Sequence, residues 1–277
     1  MERYKVTLAY DGTHFFGFQR QGKDRTVQLE VEAALRRLRW QGRTILSSGR
    51  TDSGVHAAGQ VIAFDLEWSH GPQELGRALN AHLPEDVAVK AVEIAPADFH
   101  PRFDAVSRCY HYHLLFAPER DPLRDRFTWR VWPPCEVELL QAAARLLIGT
   151  HDFAAFGTPP RPGGSTIRQV FSAGWQVSEG DAQNHAGGAQ NLALMEMCFE
   201  VIANAFLYHM VRRMVFLQVL VGQQRLSLAA MQAAVEQQQA VIPGLGQPQG
   251  LVLQEVRYVA RSDAKAPQGE GLTGEGT

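Results

Sequence analysis

The densest cluster of polar side chains in the chain is Ser47-Ser48-Gly49-Arg50-Thr51-Asp52-Ser53-Gly54, with β-prone residues before and after it. Arg50 stands two positions ahead of Asp52. A guanidinium beside a carboxylate favours its ionised form, which a nucleophile or base requires. Gly49 and Gly54 on either side let another backbone come close. On spacing alone the loop also fits a plain hairpin in which Asp52 makes an Asx-turn before Gly54. Arg50 offers in addition a planar cation that could fill a vacated place in a base stack. Further along, Tyr110 and Tyr112 alternate with His111 and His113, so a strand there carries two phenols on one face and two imidazoles on the other. Two strand histidines can open a metal site, but no third ligand stands at a characteristic spacing, and the pair reads as solvent-facing. Arg212 and Arg213 interrupt an apolar run. Neighbours on a helix point about 100° apart, so one can reach water while the other faces a site or an acidic partner.

The sequence has no GxGxxG after a strand, no GxxxxGK[ST], no HExxH and no nucleophile elbow. Hydride transfer on a Rossmann scaffold, P-loop phosphoryl transfer and zinc hydrolysis lose their support. A lone aspartate among arginines and aromatics remains, a set suited to processing a planar, sugar-linked base without a cofactor.

The elements that must position these residues are legible from periodicity. Residues 4–10 alternate with period two and stop at Asp11-Gly12, a strand running into a turn. Val27, Val31, Ala34, Leu35 and Leu38 fall at helical spacing behind Thr26 as N-cap, predicting a helix over 27–38 whose other face carries Arg36, Arg37 and Arg39. Short strands are expected at 44–48 and 60–66, a helix at 72–83 and a strand at 87–95. After a boundary near 99–105 the pattern restarts: strand 107–116, helix 136–148, a Gly/Pro-rich loop at 158–165, strands near 167–177 and 192–203, helices near 206–223 and 228–239, and a last strand at 250–258. Each half reads as a β-α-β-β-like α+β unit. The division is an N-terminal α+β domain over 1–104 carrying the Asp52 loop, a C-terminal α+β domain over 105–262, and a disordered tail over 263–277. Residues 179–188 read as a hairpin loop.

Composition agrees with a globular protein: 277 residues, 45% hydrophobic and 20% charged, with a mean hydropathy of −0.19. The longest apolar stretch, Met210 to Val221, is broken by two arginines, so no membrane span is expected. The N-terminus lacks the apolar core of a secretory signal. Three scattered cysteines, Cys109, Cys135 and Cys198, form neither a disulfide framework nor a CxxC knuckle, which suits a reducing cytoplasm. With a net charge of −2, bulk charge would not hold a nucleic acid and a local patch must. The 27 basic residues comprise 23 Arg and 4 Lys, and residues 1–62 hold ten basic against six acidic side chains, a local excess of 10 − 6 = +4.

Gly49-Arg50-Thr51-Asp52-Ser53-Gly54-Val55-His56-Ala57 resembles the signature of the tRNA pseudouridine synthase A family, whose aspartate is catalytic. Further blocks follow in order: Tyr10-Asp11-Gly12-Thr13 with Phe16-Gly17-Phe18-Gln19, Thr26-Val27-Gln28 with Glu32 and Leu35, Phe99-His100-Pro101-Arg102-Phe103, Arg108-Cys109-Tyr110-His111-Tyr112, Gly149-Thr150-His151-Asp152-Phe153, Phe206-Leu207-Tyr208-His209-Met210-Val211-Arg212, and Gly250-Leu251 through Tyr258. The sequence departs at Ser53, where the family usually has alanine, at Phe18, where tryptophan is common, and at Pro101; none of these removes a group the chemistry needs. The resemblance implies two ferredoxin-like halves with joined, mostly antiparallel sheets, helices on one face and a basic cleft between the halves. It implies isomerisation of uridine to pseudouridine at positions 38, 39 and 40 of the tRNA anticodon stem-loop, by a cytoplasmic homodimer without metal or organic cofactor. Asp52 would start the reaction, by attack on the sugar, by attack on the ring, or by abstraction of a ribose proton. Arg212 would pair with Asp52, Arg50 would help extrude the nucleotide, and Tyr110 would stack on the uracil. Gln19, His56 and Leu207 would contact substrate; Arg36, Arg37 and Arg39, with Lys23, Arg25 and Arg43, are candidate phosphate contacts, with a solvated helix face as the alternative reading of each. The competing expectations are an RNA-binding module without catalysis and a synthase of the same family with another uridine target.

Overall fold

The computed structural model describes residues 1–178, 195–238 and 242–259. One ten-stranded sheet organises them, in the spatial order β4-β1-β3-β10-β5-β9-β8-β7, with β2 against β3 and β6 against β5. The strands are β1 (Glu2–Tyr10), β2 (Leu46–Ser47), β3 (His56–Leu66), β4 (Val87–Ala95), β5 (Ala105–Phe116), β6 (Trp129–Val131), β7 (Gly149–Asp152), β8 (Ile167–Val177), β9 (Met195–Ala203) and β10 (Leu251–Tyr258). Among the described residues five α-helices accompany them: α1 (Val27–Arg37), α2 (Pro72–Asn80), α3 (Val137–Arg145), α4 (Met210–Gly222) and α5 (Leu228–Glu236). All pairings are antiparallel except β3–β10 and β5–β6. The class is α+β. No helix among the described residues is long and apolar enough to cross a membrane.

Period-two patterning decides which face of the sheet is covered. Tyr4, Val6, Leu8 and Tyr10 of β1, and Tyr112, Leu114 and Phe116 of β5, are buried. They join two cores: one contains α1 and α2 residues such as Val31, Leu35 and Leu75, the other α3, α4 and α5 residues such as Leu140, Met214 and Met231. Tyr110 packs against both cores. The other face carries cross-strand polar pairs, among them the ion pairs Arg3–Asp65 and Lys5–Glu93 and the contact of His111 with Glu200. Burial of alternate apolar side chains against helices thus fixes register, because a slip of one residue would exchange the two faces.

Most expected elements are present with small changes at their ends. The Thr26 hydroxyl accepts from Leu29 N and caps α1 as the spacing predicts. The helix expected from residue 206 begins only at Met210, because Tyr208 is held in a β-bridge to Thr158 and His209 turns the backbone into the left-handed region at φ 66°. Strands β6 and β7 were not expected, being three and four residues long with too few side chains to show a period. The expected division at residue 104 falls between β4 and β5. The hairpin expected at 179–188 and the tail over 263–277 lie outside the described residues.

Candidate active site

The loop joining β2 to β3 is anchored from below by the segment that follows β1. Phe18 N donates to Thr51 O at 3.1 Å and Gly54 N to Phe15 O at 3.2 Å. The Tyr10 and Thr51 hydroxyls lie 2.8 Å apart in the core. The close approach of Phe18 N to Thr51 O requires Gly17, whose φ is +84° and whose added Cβ would stand 2.8 Å from Thr51 O. Val55 N donates to Asp52 O at 3.2 Å, closing a tight turn that presents the Asp52 side chain. From the other side the Arg108 guanidinium donates to Ser48 O at 3.3 Å and to Arg102 O and Asn204 O at 2.7 Å. The loop is therefore held from two sides, by the segment after β1 and by Arg108 of β5.

Asp52 meets α4 across the molecule. Arg212 Nη1 donates to Asp52 Oδ2 at 3.0 Å, a contact between positions 160 residues apart, while Arg212 Nε donates to Gly246 O at 2.8 Å. The two side chains are 18% and 14% exposed, so little water screens the pair. His209 Nε2 lies 3.4 Å from the same carboxylate oxygen, and its ring stacks on Tyr208 with centroids 3.6 Å apart. Burial holds the His209 imidazole below its ordinary 6.5, partly opposed by Asp52 and reinforced by Arg212. Arg213, the adjacent cation, turns away and donates to Gly244 O at 2.8 Å.

Asp52, Val55, Tyr110, Leu207, Arg212 and Leu251 are among the residues around a cavity of about 60 Å³. It shares Arg50, Tyr110, Phe206, Leu207 and Tyr208 with a groove of about 710 Å³. Gln19, exposed, lies along that groove together with His100, Arg102, Arg108, Arg161 and Arg168. The Tyr110 ring meets Phe206 edge-on at 5.0 Å. Burial, with smaller contributions from Tyr10 and Asp52, pushes the Tyr110 phenol up, so it is held protonated. Arg50 is exposed at the junction of cavity and groove and pairs with no described residue.

The structure thus brings Asp52, Arg212, Tyr110, Arg50, Leu207 and Gln19 together. Arg36, Arg37 and Arg43 are exposed but line neither space. Arg36 lies 3.5 Å from Glu32, one turn earlier on α1. His56 stands apart from both spaces: it is 3% exposed, its Nδ1 accepts from Gly12 N at 3.0 Å, and its ring faces Phe127 at 5.0 Å. Sequence reasoning gave no role to His209 or to the groove cations Arg102, Arg108, Arg161 and Arg168. His209 and Arg108 sit inside the quoted blocks, but only the left-handed turn before α4 and the folding of 158–168 over the groove give them a place.

The family profile described as "tRNA pseudouridine synthase" matches residues 7–104 and 143–259. Curated relatives named tRNA pseudouridine synthase A include one from Geobacillus sp. (strain WCH70), 39% identical over 260 residues, covering 93% of this chain and 98% of the relative. Another, from Streptococcus pneumoniae (strain Taiwan19F-14), is 35% identical over 260 residues, covering 93% and 99%. A solved structure of an unknown protein from Galdieria sulphuraria overlaps 80% of this chain and 92% of that one at 11% identity, with a TM-score of 0.21, too low to bear on the fold.

Proposed function

The chain belongs to the tRNA pseudouridine synthase family, and from that premise we propose that it isomerises uridine to pseudouridine at positions 38, 39 and 40 of the tRNA anticodon stem-loop, with Asp52 as the group that starts the reaction. The observation that carries this reading is the Asp52–Arg212 ion pair beside a small cavity that opens into a cation-lined groove. The N1–C1′ bond must break, the uracil must turn, and C5 must bond to C1′ and then lose its proton. Asp52 acts on the sugar, on the ring, or on a ribose proton, and Arg212, held in turn by Gly246, fixes the direction in which its carboxylate points. A uracil cut loose in open water would be lost, so the apolar wall of Val55, Leu207 and Leu251 keeps the site dry.

Reaching a base in a stem-loop requires turning it out of its stack, a cost of a few kcal/mol. Arg50, which pairs with no described residue, enters the vacated place. Tyr110 stacks on the uracil, and its hydroxyl takes part in removing the C5 proton. Gln19 and Leu207 touch the nucleotide. Arg36, Arg37 and Arg43 meet phosphates outside the groove, contacts that give affinity without reading sequence. His56 acts from behind, by fixing the turn at Gly12 on which the Asp52 loop rests. The enzyme works in the cytoplasm as a homodimer and divides into domains over 1–104 and 105–262. A monomer in sedimentation at working concentration would remove the dimer.

The deciding experiment replaces Asp52 by Ala and follows tritium release from C5-labelled uridine in tRNA. Turnover is expected to vanish while tRNA binding stays within a few-fold; retained turnover rejects the assignment. An RNA-binding module without catalysis predicts no pseudouridine on nucleoside analysis of tRNA incubated with the unaltered protein. Mapping the modified positions decides between positions 38, 39 and 40 and another target.

A further inference from the structure

The sheet face turned away from the reaction carries a set of donor atoms that the isomerisation does not use. Cys109, His111 and His113 alternate onto it from β5, and Glu196, Cys198 and Glu200 from the antiparallel β9. Register sets His111 opposite Glu200 and His113 opposite Cys198. His111 Nε2 lies 3.2 Å from Glu200 Oε2, and His113 Nδ1 lies 3.1 Å from Glu196 Oε1. Ligand atoms of Cys109, His111 and Glu200 all fall within 4.8 Å of one another, and those of His111, His113 and Cys198 form a second triplet within the same limit. The third ligand that spacing along β5 does not supply is thus delivered across the sheet by β9.

We propose that Cys109, His111 and Glu200 form a binding site for a zinc-class divalent cation, which ties β5 to β9 directly behind Tyr110. Thiolate, imidazole and carboxylate are the three protein donors zinc accepts, with bonds of roughly 2.0 to 2.3 Å. Tetrahedral ligands at those lengths stand on the order of 3.5 Å apart, so closing the triplet takes side-chain adjustments of about an ångström. Of the two carboxylates, Glu196 is already held by Arg124 at 3.0 Å. Glu200 has no ion-pair partner among the described residues other than His111. Glu200 is 43% exposed, which leaves an entry path and room for water as fourth ligand. A disulfide is no competitor for the thiols. Cys109 pairs with Ile202 and Cys198 with His113, so they are offset by four residues, roughly 13 Å along the strands. Tyr110 lies between Cys109 and His111 and points to the opposite face, so a cation held here stiffens the strand that carries it.

The test uses the full chain, freed of metal by chelation, kept reduced and titrated with Co²⁺. One equivalent is expected to bind at micromolar or lower concentration with a thiolate-to-cobalt charge-transfer band, which Zn²⁺ displaces. Glu200→Gln, a change at an exposed side chain, and Cys109→Ser should each weaken binding at least tenfold, whereas Cys135→Ser, a buried thiol remote from the site, should not. Zn²⁺ should also raise the thermal midpoint of the unaltered chain but not of Glu200→Gln. The proposal falls if no band appears, if Glu200→Gln binds as well as the unaltered chain, or if the band is lost only in Cys198→Ser, which would assign the cation to the other triplet.

Discussion

At the scale of single residues the site turns on one carboxylate held between two bases of different character. Arg212 is bound at both ends of its guanidinium, to Asp52 through Nη1 and to Gly246 through Nε. A lysine ammonium has no second, fixed donor direction and satisfies only one of these acceptors. Arg212→Lys is therefore expected to keep the charge and lose the aim: kcat in the tritium-release assay should fall on the order of 100-fold or more, with KM changed by only a few-fold and stability lowered by about 1–3 kcal/mol for the acceptor left unpaired. A variant with unchanged kcat would show that the orientation of Asp52 does not limit the reaction. The aspartate and this arginine could be named from residue type and motif because their chemistry is local to their own side chains. His209 could not. Its position beside Asp52 depends on a left-handed backbone turn at φ 66°, a conformation that a non-glycine residue rarely adopts and that composition does not announce.

At the scale of elements, the loop that holds Asp52 is positioned by close packing against the 12–18 segment, and glycine marks where that packing is tightest. Gly17 and Gly22 both have positive φ, +84° and +50°, but a Cβ at Gly17 would stand 2.8 Å from Thr51 O whereas a Cβ at Gly22 would meet nothing within 4 Å. Gly22→Ala should cost only the backbone term, about 1 kcal/mol. Gly17→Ala should cost more than about 2 kcal/mol, since the clash with Thr51 adds to that term, and should lower kcat by shifting the neighbouring Asp52. Urea unfolding of the two variants beside their turnover checks this. Equal losses would mean that the 12–18 segment does not position the loop. Elements such as β1 and α1 were readable because long runs bury a regular stripe. The partition of strands within the sheet was not, since β10 from the far end of the chain pairs along β5 and meets β3 through only two parallel pairs, Val252 with His56 and Leu253 with Ala57. Likewise, β9 completes the donor set behind Tyr110 from a distance that spacing along one strand cannot show.

At the scale of the whole molecule, the strands on either side of β10 are joined by more than β10 itself and the Asp52–Arg212 pair. Arg126, in the segment between β5 and β6, reaches across to Asp11 at the end of β1 with Nη2 2.6 Å from Oδ2. Burial raises the Asp11 carboxyl, but hydrogen bonds from the Thr13 hydroxyl and backbone, with His56 and Arg126 behind them, outweigh it and hold the group below its ordinary 3.8. Asp65 is likewise held low, first by hydrogen bonds from Arg3, but that pair lies within the first half, between β1 and β3. A carboxyl depressed by folding contributes stability that is fully present above its unfolded value and is lost as pH falls through its lower folded value. Both contributions should therefore be intact at pH 5 and above and begin to be lost below about pH 4. Asp11→Asn removes the titration together with the tie between the halves, so its thermal midpoint at pH 7 should drop by a few degrees and its decline below pH 4 should be shallower than that of the unaltered chain. Asp65→Asn should flatten the same acid limb. Only Asp11→Asn should also lower turnover at pH 7, because Asp11 precedes the Gly12 turn against which the Asp52 loop is packed. Melting curves from pH 3 to pH 7, read beside tritium release at pH 7, separate the two. An acid limb as steep in Asp11→Asn as in the unaltered chain would place the pH-sensitive contact elsewhere.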